Sequence, residues 1–547
     1  MVAQSRLRNP LAPSRSWLAL AAWSFVLLLI SLLSVPSQAQ AKPIEGKSWH
    51  ATSLSNLSPA PPKKWIRKHL GTKSPYPHED RHVGSLKDTP QGYELVQLHL
   101  INRHGTRYPS ASKIAAFTTL TAKLQGAVIP GFEWLKNWPI EKLFPAAKGN
   151  LLAPRGDSDL YQIGHRFAVR YKGFLDQYSY DANTYDFQSS IKSRCSQSGY
   201  GYSVGFFEGR HANYSGLHKP AHMPPVQPVD IYTIPLIQDE ELAVKYSCPR
   251  WTDDVKGGAN VTQQKKAYEK TFLPDLANEL SALFTHGSVV SNITTKDVGS
   301  IYDLCGFEVA LYDNDQTWCQ LLRTQSGGKK TDGKSNFLNL EISGDLEDYY
   351  VHGPGVPFNR HLGCQLGTSL LSAMEGALNT TTSVTSTKKK SDDDDDDVDE
   401  SHQFRGLFKF GHSETLMFFS SFLGLYDRTG VPLTANMTSE QFAHREFCTS
   451  KFSTFASNMA FEVYRPRSEG AKKSIKSDTP KGLIRLLVNE EPVIIPGCGS
   501  DYFCEWATFK EALTRAGAGC DFQKCCTALG AGVDPNADVC LSVEPVA

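Results

Sequence analysis

The sequence of 547 residues predicts an α/β fold: a mixed sheet domain flanked by helices, with an inserted, mainly helical domain. Residues 93–101 (YELVQLHLI) alternate apolar and polar side chains, as a strand does. Residues 407–410 (LFKF) predict another strand, and an apolar helix follows over residues 415–426. Between these strands, residues from about 255 to 375 repeat their apolar side chains at helical spacing.

The N-terminus is typical of a targeting segment. Basic residues precede an apolar stretch over residues 17–35, and Ala39-Gln40-Ala41 offers the small side chains that signal peptidase accepts. We predict a signal peptide over residues 1–41, with a signal-anchor as the alternative because the stretch is just long enough to span a bilayer. Either way the chain enters the secretory pathway, and after cleavage we expect no membrane association.

Composition and cysteines narrow the function classes. Lys plus Arg and Asp plus Glu are both 57, so no overall field attracts nucleic acid and anion binding must be local. Twelve cysteines fit an oxidising compartment and permit full pairing; Cys498 and Cys504 are near enough to pair locally. No cysteine pair combines with histidines at zinc spacing, so we expect no metal and no cofactor. Glycosylation sequons begin at Asn56, Asn213, Asn260, Asn292, Asn379 and Asn436.

The first half of the chain supplies the early elements of the sheet domain, which we expect over residues 71–250 and 401–515. Residues 42–70 are rich in Ser, Pro and Lys and predict an irregular arm. Residues 156–171 carry an apolar stripe at helical spacing. Residues 230–238 (DIYTIPLIQ) predict a further strand.

The inserted helical domain is expected over residues 251–378. Apolar side chains recur every three or four residues from Tyr268 to Leu283, and Pro274 predicts a kink within that helix. Thr294 begins another predicted helix. Residues 379–400 contain a run of Asp that repels itself and has nothing to bury, so this insertion is predicted to be disordered.

The last part of the chain predicts antiparallel strands. They are expected over residues 459–464, 483–488 and 493–495, with a hairpin over 489–492 joining the last two. A helix is expected beyond Trp506. The Cys-rich tail over residues 516–547 has no predicted place in the fold.

The chemistry begins at residues 103–109 (RHGTRYP), directly after the first predicted strand. A strand that runs into a polar loop places its side chains at the carboxyl edge of a sheet, where open α/β folds bind ligands. Arg103 and Arg107 can converge on a tetrahedral oxyanion because guanidinium groups donate bidentately. His104, if neutral, can attack phosphorus. Alone, this loop can equally be a solvated turn with incidental Arg and His.

Two later segments carry matching groups. Arg194 begins a predicted helix and can supply a third guanidinium; the alternative is a surface cation beside a structural Cys195. His412 and Glu414 follow the strand over residues 407–410, at the same predicted edge. His412 can donate to a phosphoryl oxygen and Glu414 can deliver a proton. Glu414 also suits the first turn of a helix, and that capping role is compatible with catalysis.

These motifs resemble those of the histidine acid phosphatases, branch two of the histidine phosphatase superfamily. RHGTRYP matches the R-H-G-x-R-x-P signature, and His412-Ser413-Glu414 is similar to the H-A-E element of the multiple inositol polyphosphate phosphatase group, with Ser413 in place of Ala. The resemblance covers residues 69–515 except the Asp-rich insertion. Further blocks agree in order: HLGTKSPY (69–76), SRCSQS (193–198), IYDLCGFEVALY (301–312), WCQLL (318–322), DLEDYYVHGPG (345–355) and PGCG (496–499).

The resemblance implies a phosphoglycerate-mutase-like sheet domain and a phosphomonoesterase of inositol polyphosphates, phytate included, that needs no cofactor. It implies that His104 forms a phosphohistidine and that Glu414 protonates the leaving alkoxide. The phosphoryl oxygens would be held by Arg103, Arg107, Arg194 and His412. Because a carboxylic acid donor must be protonated, and burial raises a carboxyl pKa, we expect an acidic activity optimum.

Two other functions remain open from the sequence. One is a broad-specificity acid phosphatase acting on small esters or phosphoproteins. The other is a non-catalytic glycoprotein that binds polyanions, although an intact nucleophile, arginines and acid argue against it. Lys123, Arg155 and Lys192 are near the motifs in sequence, but sequence distance does not place them at the rim of a pocket, so they are left unassigned.

Overall fold

The computed structural model describes residues 58–81, 89–125, 131–208, 227–258, 260–285, 292–323, 333–379, 403–467, 481–518 and 520–527. All of them belong to one compact unit, residues 51–547. The predicted signal segment, the Asp-rich run and the end of the Cys-rich tail lie outside the described residues. The boundaries expected for the helical insertion remain a prediction.

One mixed sheet organises the described part of the chain. Its order is β3-β2-β4-β1-β5-β6-β7, and β8 also pairs with β6. The strands from β3 to β1 run parallel, whereas those from β1 onward to β5, β6, β7 and β8 pair antiparallel. The strands are β1 (Tyr93–Arg103), β2 (Tyr185–Ser190), β3 (Tyr232–Ile234), β4 (Gly406–Gly411), β5 (Asn458–Pro466), β6 (Leu483–Val488), β7 (Glu491–Val493) and β8 (Phe503–Glu505).

Helices cover both faces of the sheet. In chain order the α-helices are α1 (Lys63–Arg67), α2 (Ala111–Leu124), α3 (Ile140–Leu143), α4 (Pro154–Arg170), α5 (Lys172–Gln177), α6 (Ser193–Phe206), α7 (Val244–Ser247), α8 (Gln263–Glu269), α9 (Leu273–Thr285), α10 (Thr295–Tyr312), α11 (Trp318–Leu321), α12 (Ser335–Val351), α13 (Phe358–His361), α14 (Cys364–Asn379), α15 (Ser413–Phe422), α16 (Ser439–Ala443), α17 (Thr449–Phe452), α18 (Trp506–Ala516) and α19 (Phe522–Cys526). The mixed α/β fold that the sequence predicts is therefore confirmed. Helix α1 lies within the arm that was predicted to be irregular.

The core lies on the two sides of the central strands. Leu98 and Leu100 of β1 belong to a buried cluster with side chains of α4 and α6. Ile101 belongs to a second cluster, with side chains of α14 and α15. Each cluster covers one face of the sheet with apolar side chains. Polar side chains can therefore lie together only at the ends of the parallel strands.

The register of the parallel strands brings three chain segments to one edge. Arg103, the last residue of β1, pairs with Gly411, the last residue of β4. Ser189 of β2 pairs with Phe410 of β4 one step earlier. The loops that follow these three strands therefore begin side by side. The sequence predicted this for β1 and β4, but it did not predict the strand β2.

Prolines shorten two predicted elements. The strand expected over residues 230–238 extends only from Tyr232 to Ile234, because Pro235 has no N–H for the ladder and a 3₁₀ turn follows over Leu236–Gln238. The helix expected around Pro274 is instead two helices, α8 and α9. Pro274 lies in the first turn of α9, where the missing N–H costs nothing, so the predicted kink was wrong.

Two other expectations can be compared in detail. Thr294 is the N-cap of α10, and its capping box with Asp297 confirms the predicted helix start. The hairpin after β6 turns on Asn489 and Glu490, which both have positive φ (49° and 70°). The turn is therefore two residues long and β7 starts earlier than predicted, at Glu491.

Disulfides connect distant parts of the chain. Cys498 pairs with Cys504, as expected, and the other pairs in which the structure describes both cysteines are Cys248–Cys526, Cys305–Cys319 and Cys364–Cys520. Cys195 and Cys448 are buried free thiols, so the permitted full pairing does not occur. Among the described helices, none combines the length and hydrophobicity that a membrane crossing needs.

Candidate active site

The loop after β1 is held by backbone hydrogen bonds on both sides. The N–H of His104 donates to the carbonyl of Gly411 (3.0 Å), and the carbonyl of His104 accepts from the N–H of Ala456 (3.1 Å). Farther along the loop, the Thr106 hydroxyl donates to the buried carboxylate of Asp159 (2.8 Å). These contacts fix the backbone of the loop between β4, β5 and α4.

The hydrogen bond of the His104 ring selects one tautomer. Its Nδ1 lies 2.9 Å from the carbonyl oxygen of Gly105, which can only accept, so Nδ1 carries the proton and Nε2 keeps its lone pair. The side chain is buried. Burial and the charges of Arg103, Arg194 and Arg107 hold the pKa of His104 well below its usual range. The imidazole is therefore neutral and has a free nucleophilic nitrogen.

Three guanidinium groups surround this imidazole. Arg103 donates to the carbonyls of Thr72 (2.7 Å) and Ser453 (2.6 Å). Burial, opposed in part by Glu414, lowers the pKa of Arg103 to about 9 and that of Arg107 to about 10; the arginines also depress one another. The buried Nε–H groups of Arg103, Arg107 and Arg194 have no acceptor among the described residues. The arginines therefore have N–H donors that no described protein group accepts from. An oxyanion bound here would accept those hydrogen bonds.

His412 lies next to both His104 and Arg194. Its ring centroid is 5.8 Å from that of His104, and the two rings are nearly perpendicular. Arg194 donates to Nδ1 of His412 (3.3 Å), so Nε2 carries the proton and donates to the hydroxyl of Ser190 (3.1 Å). Burial lowers the pKa of His412 to about 3, and the charge of Arg194 adds to the effect. His104, Arg194 and His412 thus lie within the reach of one phosphate group.

Glu414 is buried in an ion pair that the sequence did not suggest. Its Oε1 lies 2.5 Å from Nζ of Lys245, and its Oε2 accepts from the hydroxyl of Ser413 (3.1 Å). Burial works to raise the pKa of Glu414, but Lys245, His412 and His352 outweigh it and hold that pKa well below its usual range. The expectation that burial would leave this pKa raised is therefore wrong for this structure, because a cation lies in contact with the carboxylate.

A cavity of about 250 Å³ opens beside Arg103 and Arg107. Its wall also carries Lys73 and Lys113, whose ammonium groups share the half-buried carboxylate of Asp303. The Nζ of Lys73 is 2.6 Å from Oδ1 of Asp303, and Lys113 pairs with Oδ2. The cavity is therefore cationic well beyond the group that surrounds His104.

Three acidic side chains line the same cavity: Glu341 and Glu347 pair with cations, and Asp348 pairs with His352. Glu347 is 2.6 Å from Nζ of Lys265. Glu341 lies 2.9 Å from both Arg445 and His69. Because these carboxylates are compensated, they oppose an incoming anion less than their number suggests.

A comparison with models of protein families identifies the family of this chain. Residues 94–489 match the family model described as histidine phosphatase superfamily (branch 2), and that segment is well over half of the chain. The chain belongs to this superfamily. It is thus a histidine acid phosphatase, and the resemblance found in the sequence motifs is confirmed.

Curated relatives carry three kinds of phosphatase name: multiple inositol polyphosphate phosphatase, acid phosphatase and phytase. Multiple inositol polyphosphate phosphatase 1 of Dictyostelium discoideum is 27% identical over 458 residues, which are 77% of this chain and 66% of that protein. Thiamine-repressible acid phosphatase pho4 of Schizosaccharomyces pombe is 24% identical and covers 82% of this chain and 88% of its own. A crystal structure of Bifidobacterium longum multiple inositol polyphosphate phosphatase in complex with inositol hexasulfate has a TM-score of 0.58 at 18% identity, over 82% of this chain and 97% of that one. This structural likeness supports the phosphatase fold.

The histidine phosphatase fold brings together all six residues that the sequence singled out: His104, Glu414, Arg103, Arg107, Arg194 and His412. The three basic residues left unassigned bind elsewhere. Lys123 bonds Asn292 and Asp297, and Arg155 pairs with Asp159. Lys192 lies over the ring of Tyr246.

Sequence reasoning missed Lys73, Lys113 and Lys245. Lys73 lies inside the matched block HLGTKSPY, and Lys113 lies in the first turn of the helix that follows RHGTRYP. Their positions in the sequence could therefore have indicated that both lie near the site. Lys245 follows no motif. Its contact with Glu414 joins residues far apart in the chain and is visible only in the structure.

Proposed function

We propose that this histidine phosphatase hydrolyses phosphomonoesters of inositol polyphosphates, phytate included, through a phosphohistidine on His104. The observation that carries the proposal is the set of three guanidinium groups, each with a buried Nε–H that has no acceptor among the described residues, around one neutral imidazole with a free Nε2. Such a site attracts a phosphoryl group electrostatically and presents it to a nucleophile.

The first step follows from the tautomer of His104. Nε2 attacks phosphorus and forms the P–N bond as the ester P–O bond breaks, while the Nδ1–H bond to Gly105 stabilises the charge that develops on the ring. The loop backbone is held by β4 and β5, so the ring keeps its orientation during the displacement. Water then hydrolyses the phosphohistidine in the second step.

The cations stabilise the charge of the transferring group. Arg103, Arg107 and Arg194 have unused Nε–H donors for its non-bridging oxygens. Donation by His412 requires a change of partner, because both of its ring nitrogens are engaged, one with Ser190 and one with Arg194. When Arg194 turns to a phosphoryl oxygen, it frees only the lone pair of Nδ1, so His412 donates to the phosphate only if Nε2–H leaves Ser190 or the ring proton moves to Nδ1.

Glu414 is the proton donor in this proposal. It is the buried carboxyl beside the imidazoles, at the start of α15, and it can protonate the departing alkoxide in the first step. In the second step it accepts a proton from the attacking water. The unprotonated form must therefore gain a proton before the ester bond breaks.

The substrate class is supported by the wider cavity. Lys73 and Lys113 add two ammonium groups beyond the arginines, which suits a substrate that carries several phosphates. A relative named multiple inositol polyphosphate phosphatase and the fold neighbour crystallised with inositol hexasulfate agree with that chemistry.

The proposed compartment is the lumen of the secretory pathway or the extracellular space. The N-terminal segment has the pattern of a signal peptide, and the cysteine pairs suit an oxidising environment. Of the six sequons, the four within the described residues have exposed Asn side chains, at Asn260, Asn292, Asn379 and Asn436, as attached glycans would require.

A broad-specificity acid phosphatase is the second candidate, and the similarity to the acid phosphatase of Schizosaccharomyces pombe favours it. The two candidate functions predict different effects of additional phosphate groups on kcat/KM. The purified full chain is incubated with phytate and with 4-nitrophenyl phosphate at several pH values, and the inositol products are identified. We expect a higher kcat/KM for phytate; a clear preference for the aryl ester would support the second candidate instead.

The nucleophile is tested in the same assay with His104→Ala. We expect phosphate release to fall at least about a thousandfold on both substrates, with an unchanged melting temperature. Wild-type hydrolysis by this variant would exclude His104 as the nucleophile. Loss of folding would be recognised from the melting curve, and His104→Asn then provides a variant closer in size.

A further inference from the structure

Lys245 is the cation closest to the proposed proton donor. It lies on the single-turn helix α7, which follows β3, and its Nζ is 2.5 Å from Oε1 of Glu414. The carboxylate side chain is 12% exposed and the lysine 28%, so the pair is largely shielded from water. Among the described residues, no other ammonium or guanidinium makes an ion pair with Glu414.

The second oxygen of Glu414 also accepts a hydrogen bond, from the hydroxyl of Ser413 (3.1 Å). Both oxygens are therefore arranged as acceptors, which favours the ionised carboxylate. The other charged or titratable groups around it are His412 on the same segment, His352 after α12, Arg103 and Arg107 from the β1 loop, and Arg194 with Cys195 on α6.

This arrangement conflicts with the chemistry of an acid catalyst, because an ionised carboxylate has no proton to give. The substrate changes the balance of charge, since it brings a phosphoryl group with negative charge next to Arg103, Arg107 and Arg194. The lysine has a flexible four-carbon stem and can exchange one anionic partner for another.

We propose that Lys245 is a positioning residue for the proton donor: its ammonium holds the Glu414 carboxylate before substrate binds and turns to a phosphate group afterwards. Glu414 then takes up one proton from solvent. That proton passes to the bridging oxygen of the leaving alcohol as the P–O bond breaks and the P–N bond to His104 forms. This inference rests on the proposed function, in which Glu414 is the acid.

The direction of the effect follows from burial. A carboxyl group in this position, without its ammonium partner, favours the neutral form because desolvation penalises the charged one. Lys245→Met and Lys245→Gln therefore raise the pKa of Glu414 in the free enzyme. Lys245→Arg keeps a cation at the same place and leaves that pKa low. The pH profile of kcat/KM reports groups in the free enzyme, and that of kcat reports groups in the substrate complex.

The test compares both profiles for phytate hydrolysis by the full chain. We expect the decline of kcat/KM on the alkaline side to move upward by at least about one pH unit in Lys245→Met and Lys245→Gln, while Lys245→Arg stays near the wild type. The kcat profiles should differ much less, because substrate has already displaced the lysine in the wild type. With 4-nitrophenyl phosphate, whose leaving group needs little protonation, no such shift is expected.

Lys192→Met is the matched control. Lys192 and Lys245 both lie over the ring of Tyr246, at 5.3 Å and 5.1 Å from its centroid, but among the described residues only Lys245 pairs with Glu414. Removing Lys192 should therefore leave the position of the alkaline decline unchanged. An equal shift in Lys192→Met would mean a general loss of positive charge and would overturn the specific role of Lys245.

The number of protons taken up when a ligand binds is a second test of the role of Lys245, and it does not require turnover. Binding of inositol hexasulfate is measured by calorimetry near pH 6 in buffers of different ionisation enthalpy. We expect the wild type to take up more protons than Lys245→Met or Lys245→Gln, in which Glu414 is already protonated in a larger fraction of molecules. Equal uptake in the three proteins would contradict the exchange of partners.

The outcomes separate this inference from the proposed function. If the wild type does not hydrolyse phytate, or if Glu414→Gln slows phytate and aryl phosphate equally, the proposed function fails. If those results hold but Lys245→Met and Lys245→Gln keep the wild-type pH profile, only the inference fails. An increase in KM for phytate without any pH shift would also overturn it, because Lys245 would then be a substrate-binding lysine. Melting curves identify a variant that does not fold.

Discussion

Gly105 and Gly156 lie against each other with no space for a side chain. A methyl group built on Gly105 would be 2.3 Å from the carbonyl oxygen of Gly156, and one built on Gly156 would be 2.1 Å from that of Thr106. The loop next to the nucleophile therefore packs directly on the first turn of α4. This contact, together with the hydrogen bond from Thr106 to Asp159, explains how a glycine-containing loop can hold the ring of His104 in place.

Gly156→Ala should disturb both stability and catalysis. The new methyl group must push the loop away from α4, because the two nearest atoms it meets belong to the backbone of Thr106 and cannot rotate aside. We expect a loss of about 1–3 kcal/mol in the free energy of unfolding and a clear fall in kcat. Gly299→Ala on α10 is the control: nothing lies near its Cβ, so a gain of about 0.5–1 kcal/mol is expected. Denaturant unfolding and phytate kinetics measure both, and unchanged kcat in Gly156→Ala would argue against tight packing of this loop.

Glu414→Gln should separate substrates by their leaving groups. The amide keeps the size of the side chain but cannot protonate an alkoxide. We expect kcat for phytate to fall about 10²–10⁴-fold, whereas 4-nitrophenyl phosphate should be affected far less. Steady-state kinetics with both esters provide the measurement. Equal losses on the two substrates would remove the acid role from Glu414.

Activity on phytate should rise as the solution becomes more acidic. Glu414 must be protonated, and its pKa is held well below the usual range, so the active fraction grows as pH falls toward that pKa. His104 must be neutral, and its pKa is also held well below the usual range, so mildly acidic solution leaves this imidazole unprotonated. The measurement is kcat/KM across the pH range. A maximum found only at alkaline pH would contradict this pairing of acid and nucleophile.

Lys73→Met and Lys113→Met should weaken the binding of substrates with several phosphates. Each single variant leaves the other lysine to compensate the carboxylate of Asp303, so the fold should be preserved. We expect KM for phytate to increase about fivefold, equivalent to ~1 kcal/mol, with little change for an aryl phosphate. Lys123→Met is a suitable control because its ammonium bonds Asn292 and Asp297. Equal KM changes for both esters would argue against a second phosphate position near these lysines.

Much of the candidate site follows from local sequence, for a physical reason. Each group of site residues directly follows or begins a regular element: Arg103 ends β1, Arg194 begins α6, and His412 precedes α15. Strand and helix patterns therefore predict where these side chains emerge, and parallel pairing takes them to one edge.

Local sequence patterns do not predict contacts between segments that are distant in the chain. Lys245 reaches Glu414 from a single-turn helix with no periodic pattern to predict it, and the resulting ion pair reverses the pKa shift expected from burial. Cysteines give the same lesson: the pair Cys498–Cys504 is local and could be predicted, whereas Cys248–Cys526 spans 278 residues and could not. The strand order is also undetermined by local patterns.

The hydrogen bond from Arg103 to Ser453 joins residues 350 positions apart. During synthesis the ribosome releases the nucleophile loop long before the segment that binds its arginine. Chain closure over that distance is slow, and a polypeptide truncated before residue 453 lacks one of the carbonyl acceptors that hold Arg103. Enzymatic activity should therefore appear only when nearly the whole polypeptide has been translated. An incomplete chain on the ribosome should not hydrolyse phosphate esters.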